Sequence, residues 1–179
     1  MSKPVKKSKR KAAVDILKPL GRYSQDKTEV HPFIIKGGKS ILLKEALASE
    51  GGTGRNFSEQ IVFKLDDVDK ERHADQSRSG VDIAFCLTSG AVLLVEAKFR
   101  VKANNFDSRL KKGIYNKISG SIDILSEPPN ILRSPCVILT STKLPELTRR
   151  NIHRLADGWP DSFIFMTEEE FYNEFFREE

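Results

Sequence analysis

Cysteine, tryptophan and long apolar runs are what this 179-residue chain has least of. Its two cysteines, Cys86 and Cys136, each lie inside an apolar strand-like run, which points to buried reduced thiols in a cytosolic protein rather than to a disulfide framework. The longest uninterrupted aliphatic run is Ala91 to Val95, against the ~20 residues a membrane span needs. No apolar segment follows the basic N-terminus, so no secretory signal is expected. His73 has no second histidine or cysteine at metal-ligand spacing and reads as a solvated loop residue, not a zinc ligand. Gly37-Gly38-Lys39-Ser40 is similar to the end of a phosphate-binding P-loop. That loop requires a further glycine where Phe33 stands, which excludes an NTPase reading.

The charge that is present is unevenly placed. Of a net +5, residues 1–11 carry Lys3, Lys6, Lys7, Lys9, Arg10 and Lys11 and no acid, leaving the remainder near neutral. Residues 1–30 therefore read as a basic, largely disordered arm with a short helix near Ala12 to Leu17, able to grip phosphates in a salt-dependent way. Residues 31–179 form the folded domain. A second basic stretch holds Lys98, Arg100, Lys102, Arg109, Lys111, Lys112 and Lys117, while acids collect near the C-terminus, a polarity that suits DNA approaching one side.

The most informative stretch is Ser79 to Arg100. Two apolar runs, Val81 to Leu87 and Ala91 to Phe99, flank Thr88-Ser89-Gly90, the pattern of a tight hairpin with glycine at the position that takes positive φ. If Leu87 faces Ala91, then Cys86 faces Val92, Ala84 faces Leu94 and Asp82 faces Glu96. Lys98 shares that face. The other face, Val81, Ile83, Phe85, Leu87, Ala91, Leu93, Val95, Ala97 and Phe99, has no polar residue and must be core. Two carboxylates with Cβ atoms about 4.5 to 5.5 Å apart repel unless a cation joins them, so the open end of the hairpin suggests a hard-metal site.

Asp82, thirteen intervening residues, then Glu96-Ala97-Lys98 resembles the PD-(D/E)xK nuclease superfamily, the group of restriction endonuclease-like and Holliday junction resolvase-like proteins. The resemblance covers roughly Lys39 to Thr140; the proline usual before the aspartate is Val81 here. It implies an α/β fold with a restriction endonuclease-like core, a central mixed β-sheet flanked by helices in the order αβββαβ. It also implies a Mg²⁺- or Mn²⁺-dependent DNA endonuclease in which Asp82, Glu96 and the Ala97 carbonyl hold the metal and Lys98 acts beside it. Products would carry a 5′-phosphate and a 3′-hydroxyl. Such a fold often supplies an extra acid from its first helix. That acid is Glu45 if Asn56 to Val68 is a strand and Glu59 if it is a helix; the cap-like Asn56 or Ser58 favours Glu59.

Around this centre the remaining elements follow from periodicity. His31 to Lys36 reads as a short edge strand and Ser40 to Glu50 as the first core helix. Asp69 to Gly80 is a polar loop from which Arg72, His73 and Arg78 can reach DNA. Asn104 to Leu125 is a long helix with Phe106, Leu110, Ile114, Ile118, Ile122 and Leu125 on one face and Lys117 at its border, where the fold commonly places an assisting residue. Cys136 to Thr140 is a strand joined in parallel through that helix, Leu144 to Ala156 a helix, Ser162 to Met166 a strand, and Thr167 the cap of a final acidic helix.

The sequence thus predicts a DNA endonuclease of restriction, defence, recombination or mobile-element processing. Its DNA contacts are Lys6, Lys7, Lys9, Arg10, Arg78, Arg100, Lys102, Lys111 and Lys112. The alternative is a catalytically degenerate DNA-binding or partner-binding subunit of a larger nucleic-acid-processing complex. Double-strand cleavage would require a homodimer or a partner subunit. No membrane role is expected, and the location would be cytoplasmic and nucleoid-associated, or nuclear in a eukaryote.

Overall fold

The computed structural model describes residues 21–65, 80–102, 105, 107–125, 131, 136–142 and 163–177. In chain order its elements are α1 (Gln25–Glu29), α2 (Pro32–Ile35), β1 (Ser40–Leu42), α3 (Leu43–Ser49), β2 (Ile61–Phe63), β3 (Ile83–Cys86), β4 (Val92–Ala97), α4 (Ser108–Leu125), β5 (Cys136–Thr140), β6 (Phe163–Thr167) and α5 (Glu168–Phe175). The six strands form one mixed sheet in the order β1-β2-β3-β4-β5-β6. Neighbours from β1 to β4 are antiparallel, and β4, β5 and β6 run parallel. The class is α/β, with helices on both faces of the sheet.

The β3–β4 hairpin has the expected register: Cys86 opposite Val92, Phe85 opposite Leu93, Ala84 opposite Leu94 and Ile83 opposite Val95. Its turn closes with Leu87 N–H donating to the Ala91 carbonyl (2.8 Å) and Gly90 N–H to the Leu87 carbonyl (2.7 Å). Gly90 takes φ 89°, a conformation that a side chain would strain. Side chains alternate between two cores. One packs Ile83, Phe85, Leu87, Leu93, Val95, Ala97 and Phe99 against α3 and α5. The other packs Ala84, Cys86, Val92 and Leu94 against Ile114, Ile118 and Leu125 of α4. Val81 belongs to this second core, not to the first as alternation predicts, because the chain bends at Asp82 before β3 begins. Strands covered on both faces read as nearly continuous apolar runs, as these do.

Several local expectations change. His31 to Lys36 is not an edge strand: the His31 side chain accepts a hydrogen bond from Phe33 N–H (3.2 Å) and Pro32 occupies the first turn of α2. Proline has no N–H to give a ladder and its fixed φ suits a helix start. Ser40 to Glu50 divides into β1, which pairs with β2, and the shorter helix α3. Within Asn56 to Val68 the strand reading holds for β2, whose pairing on both edges overrides the helical spacing of Phe57, Ile61 and Leu65. Residues 21–30 do not belong to a free arm. Tyr23 N–H donates to the Phe175 carbonyl (3.0 Å), Ser24 N–H donates to that of Cys86 (2.9 Å), and buried Thr28 Oγ1 accepts from Cys86 N–H (3.1 Å). The rest of the arm, the polar loop expected over Asp69 to Gly80 except for Gly80 itself, and the helix expected over Leu144 to Ala156 lie outside the described residues. Thr167 does cap α5, in a reciprocal pair with Glu170.

Cys86 and Cys136 are both buried free thiols. Burial pushes the Cys86 thiol from 9.0 up to about 11. Cys136 is raised well above 9.0 by burial and then by the charges of Glu96 and Asp82. The folded chain keeps protons that the unfolded chain releases above about pH 9, so stability falls as pH rises through that range. The urea midpoint is expected to be lower at about pH 9.5 than at about pH 8, and Cys86→Ala to shrink the difference. An unchanged pH dependence in that variant would contradict the assignment.

Candidate metal and phosphate site

At the open end of the hairpin the backbone ladder gives way to side chains. Asp82 Oδ2 accepts Ala97 N–H (2.8 Å), and Glu96 Oε2 accepts Asp82 N–H (3.3 Å). Each carboxylate thus satisfies a backbone donor of the opposite strand. This reciprocal bonding fixes both acids where alternation placed them, facing each other on one side of the sheet. Glu96 sits in the sheet interior, beside Ile138 of β5, and is fully buried; Asp82 is 7% exposed.

The two remaining oxygens converge on one cation. Lys117 Nζ lies 2.9 Å from Asp82 Oδ1 and 2.7 Å from Glu96 Oε1. Lys98 Nζ also donates to Glu96 Oε1, and lies 3.2 Å from the Ala97 carbonyl oxygen. Two acids and two ammonium groups therefore form a compact, formally neutral cluster. Burial beside Asp82 raises the Glu96 carboxyl, an effect that Lys98 and Lys117 offset only in part. Burial alone would lower the Lys117 ammonium, but Glu96 and Asp82 outweigh it and the net shift is upward, so Lys117 is charged.

Lys117 reaches the dyad because α4 is pinned there. Fully buried Ser121 accepts Val81 N–H (2.7 Å) and donates to the Lys117 carbonyl (2.7 Å), tying the helix to the residue before Asp82. Ser121 was not among the residues singled out from the sequence. The signal for it was a small polar residue four positions after Lys117, bordering the Ile118–Ile122–Leu125 stripe.

The site opens on a cleft of about 720 Å³ whose lining includes Glu96, Lys98, Arg100, Arg109, Asn116 and Lys117. Arg100 was expected to contact DNA; Arg109 is a basic lining residue that sequence reasoning did not select for that role. Lys102 and Lys112 are exposed and Lys111 is half-buried, but none of these lysines lines the cleft. Lys6, Lys7, Lys9, Arg10 and Arg78 lie outside the described residues.

Neither extra glutamate joins the pair. Glu59 is an exposed residue in the bend before β2, not a helical one. Since Phe63 pairs with Ala84, continuing that antiparallel register sets Glu59 at the level of Thr88, about 20 Å along the strand from Asp82 at ~3.3 Å per residue. Glu45 is exposed in the first turn of α3, whose buried side chains pack on the opposite face of the sheet.

The donors fit a hard divalent cation in kind: two carboxylates and the Ala97 carbonyl are all oxygen ligands. Among the described residues no group of three or more histidine, cysteine, aspartate or glutamate side chains gathers, so the protein would contribute few ligands and water or substrate oxygens the rest. No protein-family model, curated protein or solved structure matches the chain.

Proposed function

We propose that the chain is a Mg²⁺- or Mn²⁺-dependent DNA endonuclease of restriction endonuclease-like fold, hydrolysing phosphodiester bonds at the Asp82–Glu96–Lys98 site. The observation that supports this most is the buried Asp82–Glu96 pair beside a cleft lined by Glu96 itself and by Lys98, Arg100, Arg109 and Lys117, with Asp107 the other acid in the lining. Two buried carboxylates turned toward each other are costly as a structural device, because desolvating charge disfavours the ionised form. A site that binds a cation gives that cost a use.

Asp82, Glu96 and the Ala97 carbonyl would hold the ion. A bound Mg²⁺ or Mn²⁺ supplies Lewis acidity toward a phosphoryl oxygen and a lowered pKa for water. The chain's own groups do the remainder. Lys98 is positioned by Glu96 and stays on the cleft side, where its ammonium can orient the attacking water and stabilise charge developing on the phosphate. Arg100 and Arg109 line the route by which a phosphate backbone would enter, as positioning contacts that carry no sequence preference. One site cuts one strand, so double-strand cleavage would need a second copy or a partner subunit.

A second reading has one observation in its favour. Lys117 already bridges both carboxylates, so the cluster is charge-balanced without metal, as a catalytically degenerate DNA-binding or partner-binding subunit would require.

A panel of duplex, single-stranded and branched DNA, incubated with Mg²⁺, Mn²⁺ or EDTA beside Asp82→Asn, separates the two. The nuclease reading predicts metal-dependent products with 5′-phosphate ends, lost in the variant. Salt-sensitive DNA retention with no product in any metal would leave the degenerate reading standing.

A further inference from the structure

The free oxygens of the dyad are already taken. Asp82 Oδ2 and Glu96 Oε2 hold backbone N–H groups, so Oδ1 and Oε1 are the oxygens left to bridge an ion, and both face Lys117 Nζ at 2.9 and 2.7 Å. An ammonium in that position and an ion at carboxylate bonding distance, ~2.0–2.1 Å for Mg²⁺, compete for the same lone pairs. Lys98 is placed differently. Its partners among the described residues are Glu96 and the Ala97 carbonyl, not Asp82.

We infer that Lys117 is a resident counter-ion that a divalent metal must displace, and that displacement swings its ammonium into the cleft as an added phosphate contact. This rests on the nuclease reading of the dyad and deepens it. The side chain has room to move: Lys117 is 24% exposed and lines the cleft, as does Gly113 one turn earlier, where an added Cβ would meet nothing within 4 Å. Its backbone does not need to move, because Ser121 anchors the helix at the Lys117 carbonyl. Exchange also changes the charge of the site. With Lys117 and Lys98 against two acids the formal charge is zero; adding a divalent ion while keeping both lysines makes it positive, which favours an anionic ligand only after metal has entered. Metal binding and phosphate binding are thereby coupled, each raising the affinity of the other.

The test is Mn²⁺ binding to the full chain, followed by electron paramagnetic resonance without DNA, for wild type, Lys117→Met and Lys98→Met. Lys117→Met removes the competing charge and keeps the bulk, so it is expected to bind Mn²⁺ about tenfold or more tightly than wild type, with a smaller change for Lys98→Met. Lys117→Met is also expected to gain more in thermal midpoint from saturating Mn²⁺ than wild type does. If Lys117→Met folds poorly without metal, refolding in Mn²⁺ should recover it; failure to recover would overturn the inference. Equal or weaker Mn²⁺ binding by Lys117→Met, with wild type binding normally, would overturn it while leaving the metal site intact. Absence of Mn²⁺ binding in all three proteins would instead remove the nuclease reading on which it rests.

Discussion

Glu96→Gln is expected to lower Mg²⁺-dependent phosphodiester cleavage by about 10²–10⁴-fold with the fold intact. The magnitude follows from metal catalysis supplying several kcal/mol of charge stabilisation, at about 1.36 kcal/mol per factor of ten in rate. Glutamine matches glutamate in shape and its carbonyl oxygen can still accept the Asp82 N–H bond that Glu96 Oε2 accepts. It removes the negative charge that faces Lys98 and Lys117 and that a divalent ion would need. Stability should change little, within about 1 kcal/mol, because glutamine relieves the burial of charge and the repulsion from Asp82 along with losing the attraction of Lys98 and Lys117. A single-turnover nicking rate beside a thermal melt makes the measurement. A variant within about tenfold of wild type, or one that fails to fold, would contradict this role for Glu96.

Phe85→Ala is expected to destabilise the chain by about 3–5 kcal/mol, a large share of the ~5–15 kcal/mol that holds a typical domain. Phe85 is fully buried in the middle of β3, three residues after Asp82. Its ring meets those of Tyr23 at 5.5 Å, Phe176 at 5.5 Å, Phe171 at 6.0 Å and Phe175 at 6.1 Å between centroids. Those rings come from the segment before α1 and from α5 with Phe176 at its C-terminal end, so truncation leaves a cavity where three distant parts of the chain meet and cannot all collapse inward. In a chain of this size the thermal midpoint should fall by about 10 °C. Ile35→Ala, at a side chain 70% exposed, serves as the control and should fall within about 0.5 kcal/mol of wild type. A Phe85→Ala loss as small as that of the control would mean that the aromatic cluster does not unite these segments.

What the sequence disclosed was governed by how local the determinant is. The hairpin register and the facing acids were legible because a three-residue turn with glycine at its end sets every pairing after it. The α4 stripe was legible because Ile114, Ile118 and Leu125 repeat over 18 residues. Among the described residues the elements from α3 to β5 follow one another as αβββαβ, with the unexpected strand β1 ahead of them, whereas kinship to the nuclease superfamily remains a proposal resting on Asp82, Glu96 and Lys98. What was not legible depended on partners far along the chain. Tyr23, Ser24 and Thr28 join the fold through bonds to Phe175 and Cys86, which the composition of a basic, polar segment does not announce. Glu59 was favoured on a cap-like neighbour, but the pairing of β2 with β1 and β3 decided the conformation. Lys117 appeared only as a border residue of a helix. Its position over the dyad comes from the Ser121–Val81 contact, a bond between residues forty positions apart.

The most direct test of the central claim is nicking of supercoiled plasmid by the wild-type protein in Mn²⁺ and Mg²⁺, with and without EDTA. The Asp82–Glu96 metal site predicts open circles that accumulate with either metal and cease on chelation. Plasmid that stays supercoiled in both metals, under conditions where the protein binds both the DNA and Mn²⁺, would contradict it.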